Sequence, residues 1–199
     1  APSEMCIRDS YIKVTFNANG GHFGTETEKT KGVYVLKNKA TFADAKEKVT
    51  DPTIDNATFN EWQTAKTGGQ KVVDNKTLST ADETFYANYI AEINATKIWV
   101  NGPTTDHKDV KINLFRQVEG GKKEAVEVKA PIELKVVRDY DDVKKFYYTW
   151  KYLPATDEAG NKYTYTVEEA NVTDGKLKVG NNTYVVTQLS LIHISDGAR

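Results

Sequence analysis

The stretch FYYTWKYLPATDEAGNKYTYTVEE, residues 146–169, decides the fold of the C-terminal half of the chain. It opens with an aromatic run that is typical of a β-strand. It ends with Tyr163, Tyr165 and Val167 alternating with threonines, which predicts a second strand with one buried face. Between the two runs, residues 158–161 contain the glycine and asparagine of a turn. The stretch therefore predicts two strands separated by a turn.

Alternating strands continue on both sides of this stretch, from about residue 95 to residue 188. Val110, Ile112 and Leu114 alternate with polar residues, and so do Tyr184 and Val186. Further turn signals lie at 119–121, 174–175 and 180–182. Short alternating strands with regular turns are typical of a β-sandwich, so we expect a mainly β fold here.

Residues 11 to about 90 predict a smaller α+β unit. Strands are expected at 11–16, 32–36, 58–63, 71–73 and 84–89. The joint that follows, residues 90–94, contains neither glycine nor proline. So short and stiff a linker predicts two units stacked end to end.

The one helix that the pattern predicts spans about residues 41–49. Thr41 can cap it, with Asp44 three residues further on. Phe42, Ala45 and Val49 recur at helical spacing, which predicts that their common face packs on the strands. The proline at position 52 marks the end of the helix.

Four motifs mark the C-terminal half: KIW at 97–99, VKINL at 110–114, YTWKYLP at 148–154 and GNKYTYTVEE at 160–169. In these motifs residues 95–188 resemble a Cna B-type domain. The resemblance implies a prealbumin-like or immunoglobulin-like β-sandwich in a cell-surface protein of a Gram-positive bacterium. The chain departs from the family at 171–175, where NVTDG replaces the usual Pro-x-Gly-Tyr.

The N-terminal half contains VTFNANGG at 14–21, FNEW at 59–62, a glycine pair at 68–69 and TFYANY at 84–89. In order and spacing these motifs resemble the Listeria–Bacteroides repeat, also known from internalin-type B repeats, across residues 11–89. The resemblance implies a small β-grasp-like unit of bacterial surface proteins; an unrelated small α+β domain is the alternative. The departures are Glu61 and Tyr89, which replace a usual glycine and tryptophan, and a longer middle.

The Cna B resemblance also implies one piece of chemistry, an intramolecular isopeptide bond. In that family a lysine of the first strand attacks an asparagine or aspartate of the last strand, assisted by a buried glutamate. The motifs place these roles at Lys97 and Glu169. Strand phase puts Lys97 on the face of Trp99 and Glu169 on the face of Tyr165, so both are expected in the core. Buried charges are costly without such a partnership, and burial in general favours the neutral amine that attacks.

The acceptor of such a bond stays open. The family's asparagine is expected where Gln188 stands. Either no bond forms, or the longer Gln188 side chain reacts, or the true acceptor follows in the parent protein. The plain alternative is a structural ion pair between Lys97 and Glu169, or a Lys97 side chain that reaches to water.

The residues at both ends of the chain indicate that they do not belong to the native protein. Residues 5–10, MCIRDS, can be encoded by ATGTGTATAAGAGACAG plus one base, and the reverse complement of that DNA encodes LSLIHI at 189–194. The DNA resembles the transposon end used to tag fragments for sequencing. We therefore expect residues 1–10 and 189–199 to be translated adapter around an internal fragment. The sole cysteine, Cys6, would then be foreign, which leaves the fragment without a thiol or disulfide.

Composition and motifs argue against several function classes. Lysine and arginine number 27 against 28 acidic residues, so charge gives no footprint for nucleic acid or for an anionic membrane. Outside the suspect ends the histidines are His22 and His107, and no catalytic triad, phosphate loop or zinc spacing appears. Asp139, Asp141 and Asp142 indicate a solvated turn rather than a cation site. We expect neither an enzyme nor a cofactor or metal.

Two function classes remain. One is a stalk or spacer that projects a distal domain from the cell wall. The other is an adhesin module that binds a host or extracellular-matrix ligand directly, with the partner itself unknown. A large exposed aromatic patch would favour binding, and its absence would favour the spacer. Both predict a protein attached to the wall of a Gram-positive bacterium, outside the cell.

Overall fold

The computed structural model describes residues 10–79, 81–127, 133–138, 144–187 and 192–193, which leaves out most of both suspect ends. The chain divides into two compact units. Unit 1 comprises Ala1–Ile90 and Pro154–Lys162, and unit 2 comprises Ala91–Leu153 and Tyr163–Arg199. Each unit therefore combines two separate stretches of the chain.

Unit 1 is built on a mixed sheet with the strand order β2-β1-β4-β3. Its strands are β1 Tyr11–Asn17, β2 Thr30–Leu36, β3 Thr58–Gln63 and the first half of β4 Glu83–Ile98. β1 pairs antiparallel with β2 and parallel with β4, and β3 pairs antiparallel with β4. A parallel central pair between two antiparallel outer strands is the order of a β-grasp sheet, the architecture that the resemblance of residues 11–89 implies.

Aromatic side chains fill the core of unit 1. Val14 and Phe16 of β1 are fully buried, because alternate residues of the strand point to one face. Phe16 packs edge-on against Trp62, and Phe42 packs edge-on against Phe85, each with ring centroids 4.8 Å apart. This geometry suits aromatic quadrupoles, and each ring removes a large apolar area from water.

The helix of unit 1, α1, spans Phe42–Lys46 and is shorter than the predicted 41–49. Asp44 accepts hydrogen bonds from the backbone N–H and the hydroxyl of Thr41, at 2.7 and 2.9 Å. These bonds lower the pKa of Asp44. After Glu47 the backbone hydrogen bonds switch to three-residue spacing, from Lys48 to Ala45 and from Val49 to Lys46, which ends the α-helix early. Phe42, Ala45 and Val49 still face the core, as predicted.

Two further expectations differ from the structure. Residues 90–94, expected to be a linker, are part of the continuous strand β4. Alternation of buried and half-buried residues persists through them, and no glycine or proline interrupts it. The expected strand at 71–73 is absent from the described residues, because only Lys71 forms a bridge, with Gln63, and Val72 donates to the carbonyl of Trp62.

Unit 2 is almost entirely β-structure. The second half of β4 lies in a sheet with the order β4-β8-β7, and β13 also pairs with β4. A second sheet has the order β6-β5-β9, and a third has the order β10-β11-β12. The strands are β5 Ile112–Val118, β6 Glu124–Ala125, β7 Glu133–Arg138, β8 Lys144–Pro154, β9 Tyr163–Glu169, β10 Val172–Thr173, β11 Lys176–Val179, β12 Asn182–Val185 and β13 Ile192–His193.

The core of unit 2 contains residues from two of these sheets, as in a β-sandwich. Trp150 of β8 and Tyr165 of β9 are each 1% exposed, and Leu114 of β5 is buried as well. The Tyr148 hydroxyl both accepts from the N–H and donates to the carbonyl of Val110, at 2.9 Å each, so its polar end is satisfied. In the described part of the chain, no helix has the length and apolar character to cross a membrane.

A buried lysine and glutamate as the candidate functional site

Lys97 lies near the end of β4, and its side chain points into unit 2. Ile93, Ala95 and Trp99 are buried on the same face, in the alternation of a strand. Because Lys97 shares this phase, its backbone position directs the amine inward, and the residue is only 8% exposed. Lysine is seldom buried to this degree without a partner.

Glu169 is the last residue of β9 and provides that partner. It pairs with Ile112 in the β5–β9 ladder, and the next residue, Ala170, donates its N–H to the carbonyl of Lys111 at 2.8 Å. The ladder thus continues past Glu169 and holds its backbone. Glu169 is 8% exposed and shares the strand phase of Tyr165.

The two side chains form a buried, two-oxygen ion pair. The Lys97 Nζ lies 2.8 Å from Oε2 and 3.1 Å from Oε1 of Glu169. The same nitrogen lies 4.5 Å from the centre of the Trp99 ring, where it makes a cation–π contact. In this poorly solvated site the charges attract strongly, and removal of either one would leave the other uncompensated.

A groove of about 550 Å³ opens onto the pair. It is lined by residues 96–100, by Glu169 and by residues 184–187. β12 ends at Val185, so the chain that follows it forms one wall of the groove. Lys97 and residues 184–187 thus line the same groove.

A loop carboxylate holds β12 in this place. Asp106 Oδ2 accepts hydrogen bonds from Asn182 Nδ2 and from the Tyr184 hydroxyl, both at 2.8 Å. These two bonds lower the pKa of Asp106. The Tyr184 ring meets Trp99 edge-on at 4.9 Å, and His107 stacks on Trp99 with ring centroids 5.6 Å apart.

Gly102 allows Tyr184 to lie this close to the loop. A Cβ atom at Gly102 would come within 2.4 Å of the Tyr184 Oη. The φ angle of Gly102 is also +87°, which favours glycine. No sequence pattern singled out Gly102 or Asp106, because a bond between a loop and a distant strand has no fixed spacing along the chain.

The structure brings two of the three predicted site residues together. Lys97 and Glu169 are in contact, whereas Gln188 lies outside the described residues, immediately after Thr187 at the groove. Asp139, Asp141 and Asp142 are outside them too. His22 of unit 1 bridges to Thr53, and His107 of unit 2 stacks on Trp99. Within the described ranges, no cluster of three or more histidine, cysteine, aspartate or glutamate residues suits a metal ion.

The geometry allows proton exchange between the lysine and the glutamate. A carboxylate at hydrogen-bond distance can take a proton from the amine and later return it to a leaving group. The arrangement can thus support attack by Lys97 on a side-chain amide that enters the groove.

Comparison with protein-family models gives a match to the C-terminal half of the chain. The family model of the Cna protein B-type domain matches residues 93–189, a range that contains Lys97 and Glu169. Domains of this family are structural modules, typical of the stalk regions of extracellular bacterial surface proteins. Neither the curated proteins nor the solved structures that were searched contain a match.

Proposed function

We propose that this chain, with its Cna protein B-type domain at residues 93–189, is a stalk segment of a wall-attached Gram-positive surface protein. In this proposal Lys97 and Glu169 serve an intramolecular isopeptide bond that staples the first strand of the domain to its last. The family match supports the stalk role. The buried Lys97–Glu169 pair supports the staple.

The pair is the observation on which the proposal rests. A lysine and a glutamate buried together are a poor way to gain stability, since desolvation offsets much of their attraction. A pair of apolar side chains would fill the same space without that cost. A reactive role explains why two ionisable groups are kept here, beside a groove that leads to the end of the domain.

The reaction balances without a cofactor. The Lys97 ammonium passes a proton to Glu169, and the resulting amine attacks the side-chain amide carbon of an asparagine or glutamine. Glu169 then returns the proton to the leaving nitrogen. A new carbon–nitrogen bond forms, the bond between that carbon and the amide nitrogen breaks, and one ammonia leaves. Gln188 stands at the acceptor position of the family motif.

Intact-protein mass spectrometry tests the staple. We expect the variant Gln188→Asn, which has the shorter family side chain, to lose one ammonia relative to the mass calculated from its sequence. The matched control Gln188→Asn with Lys97→Arg should keep the full mass, because a guanidinium does not attack. A full mass for Gln188→Asn itself, in folded protein, would contradict the proposal. The unchanged chain in parallel shows whether the Gln188 side chain reacts.

One observation favours the alternative function, direct ligand binding. Tyr11 lies opposite Leu36 across β1 and β2, and Tyr34 lies opposite Lys13 on the same face. Tyr34 is 64% exposed, and Tyr11 and Leu36 are also exposed. If this face binds an extracellular-matrix ligand, Tyr34→Ser with Leu36→Ser should abolish retention on an immobilised matrix extract. If variant and parent are retained equally, this face does not bind the ligand, and the spacer role is favoured.

A further inference from the structure

The segment Pro154–Lys162 belongs structurally to unit 1, although it joins β8 to β9 of unit 2. Its Ala155 is 6% exposed and is part of the hydrophobic core of unit 1. The N–H of Ala155 donates to the carbonyl of Tyr89 at 3.3 Å. A residue in the core with a backbone hydrogen bond is a structural part of that unit rather than a loop resting on its surface.

The segment is organised by its own hydrogen bonds. Asp157 Oδ1 accepts from the N–H groups of Ala159 and Asn161, at 2.9 and 2.7 Å. The N–H of Asp157 donates to the carbonyl of Asn161 at 2.9 Å, and Gly160 has a φ of +87°. A loop held in one conformation loses little entropy when it docks.

The surface of unit 1 that receives the segment recognises its backbone. Lys66 Nζ donates to the carbonyl of Ala159 at 2.7 Å. A Cβ atom at Gly20 would lie 2.9 Å from the carbonyl oxygen of Gly160, so only glycine lets the two backbones approach. Asn19 Nδ2 donates to the carbonyls of Lys66 and Ala87, at 3.1 and 3.0 Å, which holds the base of this surface.

The outer edge of the docked segment has an exposed ion pair. Lys162 Nζ lies 2.9 Å from Asp55 Oδ2, and their side chains are 49% and 73% exposed. Pairs as exposed as this one are screened by water and salt and contribute little. The burial of Ala155 and the close approach of Gly20 to the Gly160 carbonyl must therefore provide most of the free energy of docking.

We propose that unit 1 has a docking site, formed by Asn19, Gly20, Lys66 and the Tyr89 carbonyl, whose ligand is the Pro154–Lys162 segment of the same chain. Unit 1 is complete only when this segment is seated. The site takes a short, preformed loop whose Ala155 enters the core and whose Gly160 carbonyl approaches Gly20. The proposal is independent of the isopeptide bond, because none of these residues lines the groove at Lys97.

Amide hydrogen exchange of the full chain tests the proposal with a matched pair of variants. Gly20 and Gly68 both have positive φ, at +97° and +60°, but only Gly20 faces another backbone; at Gly68 nothing lies within 4 Å of an added Cβ. Alanine at a φ of +60° lies in the left-handed region that L-residues adopt, whereas at +97° it bears additional strain. Gly68→Ala therefore gives the lower limit for the effect of backbone strain alone. We expect Gly20→Ala to lower the protection of the Ala155 amide about tenfold more than Gly68→Ala does. Equal effects of the two variants would overturn the proposal.

Two further measurements hold even if Gly20→Ala does not fold. In the unchanged chain, the Ala155 amide should exchange as slowly as strand amides of unit 1, and exchange at the rate of an open loop would overturn the proposal. Lys66→Met should raise exchange in the segment, whereas the exposed control Lys39→Met should not. An equal response to both lysine variants would also count against a specific docking site.

Discussion

Lys97 and Glu169 show how strand phase alone can locate a site. Each shares a face with buried aromatic residues in the sequence, and each is buried in the structure. Their contact across 72 sequence positions could not be predicted from phase, because it joins two strands, β4 and β9, that lie in different sheets. The resemblance of residues 95–188 to a Cna B-type domain provided that link, since the family places both roles in one pocket.

The first prediction concerns the cost of breaking this pair. In the chain without an isopeptide bond, Lys97→Met should lower the free energy of unfolding by roughly 3–5 kcal/mol, because it leaves the Glu169 carboxylate buried without a counter-ion. Lys97→Met combined with Glu169→Leu should recover most of this loss, since neither charge remains. Urea denaturation measures both variants. A double variant as unstable as the single one would show that the charge pair is not the cause.

The second prediction concerns a strained residue on β8. Tyr152 has a φ of +57°, so its backbone is strained in the left-handed region. Its side chain is 72% exposed, so burial of the side chain offsets little of this strain. Tyr152→Asn should raise the free energy of unfolding by about 1 kcal/mol, because asparagine tolerates this conformation and a bulky side chain does not. Tyr147→Asn on the same strand is the control and should not stabilise the protein. Thermal unfolding distinguishes the two variants. Equal changes in melting temperature would show that backbone strain at Tyr152 does not destabilise the protein.

Among the elements, β4 differs most from the prediction. The sequence suggests a strand, a linker and a second strand over residues 84–99, whereas the structure has one strand, Glu83–Ile98. The motifs of two resembled families meet here, and a boundary between motifs does not require a break in the backbone. The prediction of a strand at 71–73 was wrong, because a short apolar run does not by itself provide a neighbouring strand to pair with.

The third prediction concerns the attachment of β12. Asp106→Ala removes the acceptor of Asn182 and Tyr184. Exchange of the β12 amides should accelerate, while the amides of β1 in unit 1 stay protected. Asp109→Ala, at an exposed aspartate close to Asp106 in sequence, is a control for the loss of an aspartate from the same unit. If both variants leave β12 equally protected, Asp106 does not hold it.

The fourth prediction follows from the pKa of Asp106. Hydrogen bonds from Asn182 and Tyr184 hold this pKa below its ordinary value of 3.8. Because the folded value is the lower one, the stabilisation is present above pH 3.8 and is lost as the pH falls through the folded pKa. NMR signals of Tyr184 should therefore shift in this acid range in the parent chain but not in Asp106→Asn. An identical titration in both would exclude Asp106 as the origin.

For the whole molecule, the family match covers residues 93–189, and the mainly β fold of both units agrees with the sequence. The resemblance of residues 11–89 to the Listeria–Bacteroides repeat and the adapter origin of both ends stay predictions. The grouping of Pro154–Lys162 with unit 1 could not be predicted, because its docking depends on backbone contacts to Gly20 and Lys66 that leave no pattern in sequence.

The fifth prediction concerns the staple's effect on stability. A bond from Lys97 to residue 188 would close a loop of about 90 residues, and the loss of entropy in the unfolded chain would stabilise the fold by roughly 4–5 kcal/mol. Gln188→Asn should therefore unfold at a clearly higher temperature than Gln188→Asn with Lys97→Arg. Equal melting temperatures, in samples shown by mass to differ in the bond, would contradict this role.

The central proposal is that Lys97, assisted by Glu169, forms a covalent bond to the residue at position 188, and peptide mapping tests it most directly. Protease digestion of Gln188→Asn followed by tandem mass spectrometry should yield one branched peptide that joins Lys97 to residue 188. The branch should disappear in Gln188→Asn with Glu169→Ala, because the proton carrier is removed. Recovery of both peptides only in unlinked form, from folded Gln188→Asn protein, would contradict the claim.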